Sequence, residues 1–285
     1  MSSVPMEKSA ERVAVSTLIF TLNEAVHLPS CLAALTWCDD VIVIDSFSTD
    51  ETQSICAAAG ARFFQNRFIG FGDQRNWAMK NAKPKHEWLL ILDADERVPP
   101  ALVAELKSRI PVVAADIGAF RIRRRFHLWG RWLKHSSLYP TWVVRLIHRD
   151  RVRYVNRGHA ETQDVQGRIA DLDNDLIDEN LKGIDDWFER QNRYSSKDAE
   201  YEIDRDSAGI RWADVFSGDE LARRAALKQI AARMPFRPLL YFVYSYFFRF
   251  GFLDGSDGLH FCLMKATYQR MLVTKKYDIL RRRGR

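Results

Sequence analysis

The stretch Trp88-Leu89-Leu90-Ile91-Leu92-Asp93-Ala94-Asp95-Glu96 places an apolar run directly before two carboxylates that are two residues apart. The apolar run predicts a buried strand, and alternation along a strand puts Asp93 and Asp95 on the same side. Two carboxylates so placed can bind a hard divalent cation, which in turn can hold a diphosphate. The stretch therefore predicts a strand of an open α/β sheet with a metal site at its carboxyl end.

The spacing Asp-x-Asp is weak evidence by itself, because it recurs in this chain. The other matches are Asp171/Asp173, Asp173/Asp175 and Asp204/Asp206. None of them follows an apolar run, whereas open α/β sheets bind ligands at the carboxyl ends of their strands. Asp93 and Asp95 are therefore the pair expected to form a site.

Composition narrows the class of protein. The chain has 285 residues, of which 47% are hydrophobic and 28% charged, as expected of a globular protein with a substantial core. Its four cysteines show no metal-binding spacing, which predicts reduced thiols in the cytosol. The polar first twelve residues predict no signal peptide, and the longest apolar run, 239–248, is far shorter than the ~20 residues of a membrane span. We expect a cytoplasmic protein that does not cross a membrane.

The net charge of +6 is unevenly distributed. Residues 265–285 carry eight Lys or Arg against one acidic residue, and residues 121–153 carry ten against one. Such segregation indicates a polyanionic partner at two places. A basic nucleic-acid-binding protein is the non-enzyme alternative, and it predicts strongly salt-dependent binding to RNA or DNA. A scaffold protein that has lost its catalytic activity is a second non-enzyme alternative. We favour an enzyme and expect no nucleic-acid partner.

Strand and helix patterns alternate over the first 110 residues, which predicts a parallel sheet covered on both faces. Strands are expected at 13–20, 40–44, 62–64 and 87–92, and helices at 24–35, 49–59, 73–80 and 100–109. A capping box from Ser48 to Glu51 predicts the start of the second helix. Beyond Pro111 the pattern predicts strands at 119–125 and 141–147 and helices at 176–197 and 220–233.

Nine Phe and Tyr residues lie between positions 236 and 252. Aromatic segments flanked by Lys and Arg are typical of helices that lie in the interface of an anionic membrane. A helical hairpin packed on the domain, or in a contact between two copies of the chain, is the alternative, so a homo-oligomer stays open.

Polar residues follow three of the predicted strands. They are Thr21-Leu22-Asn23-Glu24, the segment from Asp45 to Asp50, and Asp93-Ala94-Asp95. In a parallel sheet these ends lie along one edge and form a single crevice. No Walker A motif or complete dinucleotide fingerprint is present, so a nucleotide would be held by a metal and side chains. Within the crevice, Asp45 could accept a hydrogen bond from a base N–H. A sugar-nucleotide nucleotidyltransferase is an alternative class of enzyme with this type of sheet. It would need a glycine-rich loop after the first strand, and residues 21–27 contain no glycine.

On these residues the chain resembles the family-2 glycosyltransferases of the GT-A fold. It is similar in particular to the branch that includes lipopolysaccharide-core β-glucosyltransferases, on Gln74-Arg75-Asn76, Asn192-Arg193-Tyr194-Ser195 and Gly251-Phe252-Leu253-Asp254-Gly255. The resemblance implies a Rossmann-like, mostly parallel sheet with helices on both faces and a C-terminal helical, aromatic-rich extension. It also implies a GT-A domain at 12–235, with a nucleotide-sugar half at 12–118 and an acceptor half at 119–235. The extension is expected at 236–285.

The resemblance further implies an inverting, metal-dependent transfer of a sugar from a nucleotide donor to an acceptor hydroxyl. The residues implied at the nucleotide are Thr21, Asn23, Glu24, Asp45, Arg75 and Asp93. Asp93 and Asp95 would bind Mg²⁺ or Mn²⁺, with His159 as a further ligand. The metal would offset the charge that develops on the leaving nucleoside diphosphate.

Inversion also needs a general base beside the acceptor hydroxyl. The candidate is Glu161 in Gly158-His159-Ala160-Glu161, with an ordinary surface carboxylate as the alternative. Asp178, where relatives often have a histidine, is a second candidate for the base or a residue near the metal. The loop 126–135 contains two Trp and cationic side chains suited to sugars and acceptor phosphates, although core tryptophans would give the same pattern.

The expected donor is UDP-glucose or another UDP-hexose. The expected acceptor is a lipid-linked glycan such as lipopolysaccharide core, and a lipid intermediate of exopolysaccharide or capsule synthesis is the alternative. An enzyme of this kind would work at the periphery of the inner face of the cytoplasmic membrane.

Overall fold

The computed structural model describes residues 12–157, 160–207, 209, 212–234 and 236–284. The chain divides into two compact units. The first contains described residues from 1–127, 140–155 and 163–181, and the second contains those from 128–139, 156–162 and 182–285.

The strands and helices alternate through the first part of the chain and helices dominate the last part. The strands are β1 Val15–Thr21, β2 Val41–Asp45, β3 Arg62–Gln65, β4 Trp88–Asp93, β5 Glu96–Arg97, β6 Ile117–Leu128, β7 Arg131–Trp132, β8 Thr141–His148, β9 Val152–Arg157, β10 Ala160–Val165 and β11 Arg168–Glu179. The helices are α1 Leu28–Ala33, α2 Thr52–Ala58, α3 Phe71–Asn81, α4 Pro100–Arg109, α5 Gly183–Ser207, α6 Trp212–Val215, α7 Glu220–Arg233, α8 Arg237–Val243 and α9 Gly255–Arg283. Short 3₁₀ helices occupy Ile110–Val112 and Gly251–Asp254, and a π-helical turn occupies Tyr244–Phe248.

The main sheet has the strand order β3-β2-β1-β4-β8-β6-β11-β5. The pairs β2–β3, β1–β2, β1–β4 and β6–β11 are parallel, and β4–β8, β6–β8 and β5–β11 are antiparallel. Thr21 pairs with Asp45, and Phe20 pairs with Asp93. The carboxyl ends of β1, β2 and β4 therefore lie at one edge, as the sequence predicted.

Alternate residues of β4 face two separate hydrophobic cores. Leu90 and Leu92 are buried on the side of α1, α2 and α4. Leu89 and Ile91 are buried on the side of α3. The run is apolar throughout because both faces of the strand are covered, and helices on both faces are confirmed.

The helix predicted at 176–197 is wrong in its first part. Residues up to Glu179 belong to β11, and α5 begins only at Gly183. Leu172 and Leu176 are buried in the core, while Asp171 and Asp175 pair with arginines of β6. The acidic residues just before the predicted helix are thus one side of a ladder of ion pairs between two strands.

The predicted capping box is also wrong. Helix α2 begins at Thr52, and its N-cap residue, Glu51, makes no side-chain capping bond. The Thr52 amide donates to Asp50 Oδ1 (3.1 Å). The Ser48 hydroxyl instead donates to Asp45 Oδ1 (2.5 Å) and accepts from the Asn23 amide (2.7 Å). Bonds between two loops of the sheet edge compete successfully with the local cap.

The second unit is mainly helical. Helices α5 and α9 pack through Ala199, Tyr268 and Leu272, and the Tyr268 hydroxyl donates to Asp198 Oδ2 (2.5 Å). The predicted helix at 220–233 is confirmed. Rings cluster between residues 242 and 252, in agreement with a C-terminal helical, aromatic-rich region. In the described part of the chain, no helix combines the length and the apolar character that a bilayer crossing needs.

Asp40 ties together the segments at the opposite, amino-terminal edge of the sheet. Its buried carboxylate accepts hydrogen bonds from the Ser16 hydroxyl (2.5 Å), the Lys85 amide (2.7 Å) and the Arg62 guanidinium (2.8 Å). Burial opposes ionisation, but these bonds, led by the Lys85 amide, outweigh it and lower the pKa of Asp40.

Asp40→Asn is expected to reduce the free energy of unfolding by about 2–3 kcal/mol at neutral pH, because it leaves buried donors poorly satisfied. The native pKa is lower than the unfolded value of about 3.9, so the stabilisation is complete above that value and is lost as the pH falls through the native pKa. Urea unfolding of both proteins from about pH 7 to about pH 2 should show a nearly constant difference down to about pH 4 and a shrinking difference below it. Asp116→Asn, which removes an exposed ion pair with Arg168, is the control and should change little. Equal losses in both variants would contradict this role of Asp40.

Candidate active site at the carboxyl edge of the sheet

Asp45 organises the loop that follows β2. It is fully buried, and its Oδ1 accepts from the Thr21 hydroxyl (2.9 Å) and the Ser48 hydroxyl (2.5 Å). Its Oδ2 accepts from the Ser48 amide (2.8 Å) and from Gln65 Nε2 (3.3 Å). The carboxylate thus fastens the ends of β1, β2 and β3 to one another. Its contact with a base stays a prediction.

Asn23 joins the loops after β1 and β2 from the other side. Its backbone is left-handed (φ 55°), which Asn tolerates better than most residues. Its backbone amide donates to the Ser48 hydroxyl (2.7 Å), and its side-chain Oδ1 accepts from the Thr49 backbone amide (2.8 Å). The structure therefore brings Thr21, Asn23 and Asp45, predicted at the nucleotide, into one hydrogen-bonded edge.

His27 positions Glu24, a role that the local sequence pattern does not reveal. The buried imidazole accepts from the Leu181 amide through Nε2 (2.7 Å), so its proton lies on Nδ1 and is donated to Glu24 Oε2 (2.5 Å). The i, i+3 spacing of Glu24 and His27 was the only signal, and it is common in helical turns. The His27 ring thereby links the loop after β1 to the segment after β11.

Asp93 is held between two guanidinium groups. Arg75 Nη2 donates to its Oδ1 (3.1 Å), and Arg145 Nη2 donates to its Oδ2 (2.5 Å). Burial opposes the charge, but Arg145 first and Arg75 second lower the pKa of Asp93 to about 2. The buried Arg75 guanidinium also lies over the rings of Phe20 and Tyr154, at 5.2 and 5.6 Å from their centroids. Asp93 is therefore an anion held in a fixed position.

Glu96 is the second partner of Arg145. Its fully buried carboxylate accepts from Arg145 Nη2 (2.7 Å) and Nε (3.2 Å) and from the Asp93 amide (3.0 Å). Burial raises the pKa of Glu96, since the Arg145 charge offsets it only in part. The Asp93–Glu96 turn is thus closed by a side chain inside the turn and by an arginine from β8.

Asp178 joins the same cluster from the far strand of the sheet. It pairs with Glu96 between β11 and β5, and its Oδ2 lies 3.0 Å from Arg124 Nη1. Burial raises the pKa of Asp178 to about 8 against the opposing charge of Arg124, and the charges of Asp95, Glu96 and Asp93 raise it further. The structure therefore brings Asp178 to the Asp-x-Asp segment, although its strand was predicted as a helix.

The donor set suits a divalent cation. Within the described ranges, no three or more His, Cys, Asp or Glu side chains are grouped so as to hold a metal by themselves. Mg²⁺, however, often uses only one or two protein carboxylates together with substrate phosphates. Asp95 is half-buried, and burial first and the charges of Asp95, Glu96 and Asp93 second raise the pKa of Asp178. These two carboxylates fit a cation that a diphosphate completes.

The remaining predicted residues are not among the described residues of the first unit. Glu161 is in β10 and belongs to the second unit. His159 lies outside the described residues. Trp129, Arg131 and Trp132 also belong to the second unit.

Two motif segments outside the sheet have structural contacts within the second unit. Asp254 Oδ2 accepts from the amides of His135 (2.9 Å) and Ser136 (2.7 Å) and so holds the Trp- and Arg-rich loop. Lys275 Nζ donates to Asn192 Oδ1 (2.7 Å) and Ser195 Oγ (2.9 Å) and joins α9 to α5.

Comparison with known sequences identifies relatives over most of the chain. The family model "Glycosyl transferase family 2" matches residues 16–171. "Lipopolysaccharide core biosynthesis glycosyltransferase LpsC" of Rhizobium meliloti (strain 1021) is 24% identical over 274 residues, covering 94% of this chain and 93% of the relative. An "Uncharacterized glycosyltransferase" of Rickettsia bellii is 33% identical over 94 residues, which are 33% of this chain and 31% of that protein.

Comparison with solved structures also identifies a glycosyltransferase as a similar protein. The mannosyltransferase PcManGT from Pyrobaculum calidifontis, solved in complex with GDP-Man and Mn²⁺, superimposes with a TM-score of 0.51 at 14% identity, covering 96% of this chain and 90% of that one. A likeness at this identity concerns the fold alone, and it confirms the predicted GT-A class. The family model spans more than half of the chain, including β1, β2, β4 and the Asp-x-Asp segment at their shared edge. The chain therefore belongs to glycosyl transferase family 2 and is a glycosyltransferase.

Proposed function

We propose that this chain is a metal-dependent, inverting glycosyltransferase that moves a sugar from a nucleotide sugar to a lipid-linked glycan. The observation that carries the proposal is the cluster of carboxyl groups at the carboxyl edge of the sheet, on Asp93, Asp95, Glu96 and Asp178. The GDP-Man and Mn²⁺ in the similar PcManGT structure support a nucleotide donor with a divalent metal. UDP-glucose or another UDP-hexose is the proposed donor.

Lipopolysaccharide core is the proposed acceptor, supported by similarity to LpsC over nearly the whole of both chains. A lipid intermediate of exopolysaccharide or capsule synthesis is the alternative. We assign the donor to residues 12–118, the acceptor to 119–235 and membrane contact to 236–285.

On the donor side, this chain's own residues bind and orient the nucleotide. Thr21, Asn23, Glu24 and Asp45 would line the nucleoside site. Arg75 and Arg145 keep Asp93 ionised and fixed, so that it can accept from the ribose hydroxyls. Asp95 and Asp178 would hold Mg²⁺ or Mn²⁺, with His159 as a further proposed ligand. The bound metal would offset the charge developing on the leaving nucleoside diphosphate.

On the acceptor side, Glu161 is the proposed general base. It would take the proton of the acceptor hydroxyl as that oxygen attacks the anomeric carbon from the face opposite the phosphate. The bond from the anomeric carbon to the phosphate oxygen breaks, the nucleoside diphosphate keeps the electron pair, and the configuration inverts. Asp178 is the second candidate for the base, but its ion pair with Arg124 and its place beside Asp95 favour the metal.

The aromatic surface, defined as residues 239–253, supports contact with a membrane. Tyr244, Phe247 and Phe248 are 48, 54 and 71% exposed, and Phe250 and Leu253 are 54 and 60% exposed. From 236 to 284 the chain carries nine Lys or Arg and three Asp. Apolar rings with surrounding cations match the chemistry of an anionic bilayer interface. We therefore propose that the enzyme works at the inner face of the cytoplasmic membrane.

Asp95→Asn is expected to lower transfer activity by about 100-fold or more, because it removes a charge placed to hold the metal against the diphosphate. Activity is measured as nucleotide release from a panel of nucleotide sugars with Mn²⁺ and a glycolipid acceptor, and EDTA should abolish it. Asp173→Asn, an exposed member of another Asp-x-Asp pair, is the matched control and should stay active. A fully active Asp95→Asn enzyme would exclude the proposed metal site.

Glu161→Gln is expected to lower kcat by about 100-fold or more while leaving the donor KM nearly unchanged, because it removes only the proton acceptor. Asp178→Asn should instead weaken Mn²⁺-dependent binding of UDP, measured by calorimetry. If Glu161→Gln keeps its kcat and Asp178→Asn loses it without a change in UDP affinity, Asp178 is the base and the assignment is reversed.

Phe247→Ser combined with Phe248→Ser is expected to reduce binding to vesicles by about tenfold, because it removes two exposed rings from the aromatic surface. Cosedimentation with phosphatidylcholine vesicles, with and without phosphatidylglycerol, measures the effect and its dependence on anionic lipid. Val112→Ser, which removes an equally exposed apolar side chain from the first unit, is the control. Unchanged binding of the double variant would refute membrane contact through this surface.

A further inference from the structure

Phe47 combines two unfavourable features at the edge of the sheet. It lies two residues after β2, its side chain is 55% exposed, and its backbone is left-handed with φ of 64°. A residue with a Cβ is strained in this conformation, whereas glycine adopts it freely. An exposed phenyl ring also gains little from burial. Neither local conformation nor core packing accounts for a phenylalanine at this position.

The neighbours of Phe47 hold its backbone in place. The Ser46 amide donates to the Thr21 carbonyl (2.9 Å), and the Ser46 hydroxyl accepts from Gln74 Nε2 (3.2 Å). On the other side, the amide and hydroxyl of Ser48 both donate to Asp45. With both flanking residues fixed, the left-handed turn is imposed on residue 47 whatever its side chain. Strain that is maintained in this way is characteristic of ligand sites.

The order of the strands indicates which part of a ligand would meet this ring. Phe47 follows β2, and the carboxylates assigned to the diphosphate follow β4, with β1 between them. Two strand spacings separate these positions by about 10 Å. That is comparable to the separation between the base and the phosphates of an extended nucleoside diphosphate. An aromatic side chain offers a flat apolar face on which a nucleobase can stack.

We propose that Phe47 stacks on the nucleobase of the donor and contributes most of the affinity for the nucleoside part. The proposal rests on the proposed function, because it places the base beside the hydrogen-bonded loop of Thr21, Asn23 and Asp45. In this proposal, the strained and exposed ring of Phe47 binds the base. The buried carboxylate of Asp45 keeps the loop that carries the ring rigid.

The test compares Phe47→Gly, Phe47→Tyr and Lys83→Gly in the full chain. Lys83 is also exposed and left-handed (φ 49°), but it lies in the loop before β4, at the opposite edge of the sheet, which makes it a matched control. Calorimetry with Mn²⁺ measures binding of whichever of UDP, GDP and ADP the unmodified protein binds most tightly, and of pyrophosphate, which has no base. Thermal unfolding of each variant measures its stability.

Phe47→Gly should weaken nucleoside diphosphate binding about tenfold or more and leave pyrophosphate binding unchanged. Its Tm should not fall and should rise by up to a few degrees, because glycine relieves the strain. Phe47→Tyr, which keeps a ring, should bind within about threefold of the unmodified protein, and Lys83→Gly should match Phe47→Gly in stability without losing affinity.

Nucleoside diphosphate binding within about twofold of the unmodified protein would overturn the proposal. An equal loss of pyrophosphate binding, or a lowered Tm, would also overturn it, since either result would make Phe47 a structural residue. If the unmodified protein binds none of the three nucleotides, the proposed function fails and this proposal fails with it.

Discussion

The buried guanidinium of Arg145 is the interaction on which the arrangement of the carboxyl edge depends. It binds Asp93 at the end of β4 and Glu96 in β5, while its own backbone lies in β8. Removing one member of such a cluster leaves a buried charge without its partner, which costs about 3–5 kcal/mol. The charges therefore fix the turn between β4 and β5, and Asp95 is held in place because it lies within that turn.

Burial and the same cluster together explain why Asp178 is hard to ionise. Four carboxyl groups, on Asp93, Asp95, Glu96 and Asp178, are close together, and burial first and the charges of the other three second raise the pKa of Asp178 against the opposing charge of Arg124. Carboxyl groups that are crowded in this way are a departure from what favours folding. The proposed divalent cation would favour the ionised form of Asp178.

Much of the first unit could be predicted from the sequence, because β1, β2 and β4 are apolar runs that end in polar residues. The role of Arg145 could not be predicted, because the residue lies within a strand pattern and its partners are about fifty positions away in the sequence. The acidic residues after Asp178 favour a helix at this position, although Leu172 and Leu176 alternate with Asp171 and Asp175 as in a strand. Long-range ion pairs decided both cases, and local pattern does not encode them. The chemical roles of the predicted site residues stay predictions.

Exposed aromatic residues in left-handed backbone recur in this chain. Phe47, Trp129, Phe236 and Phe250 all have φ between 52° and 64°, and each side chain is more than half exposed. The left-handed backbone is unfavourable for each of these residues, and each side chain gains little free energy from burial because it is largely exposed. The four lie in segments assigned to the donor, the acceptor and the membrane. Because a sequence is expected to break local rules chiefly where function requires it, we expect these positions to indicate contact surfaces more specifically than aromatic content alone, which core packing also explains.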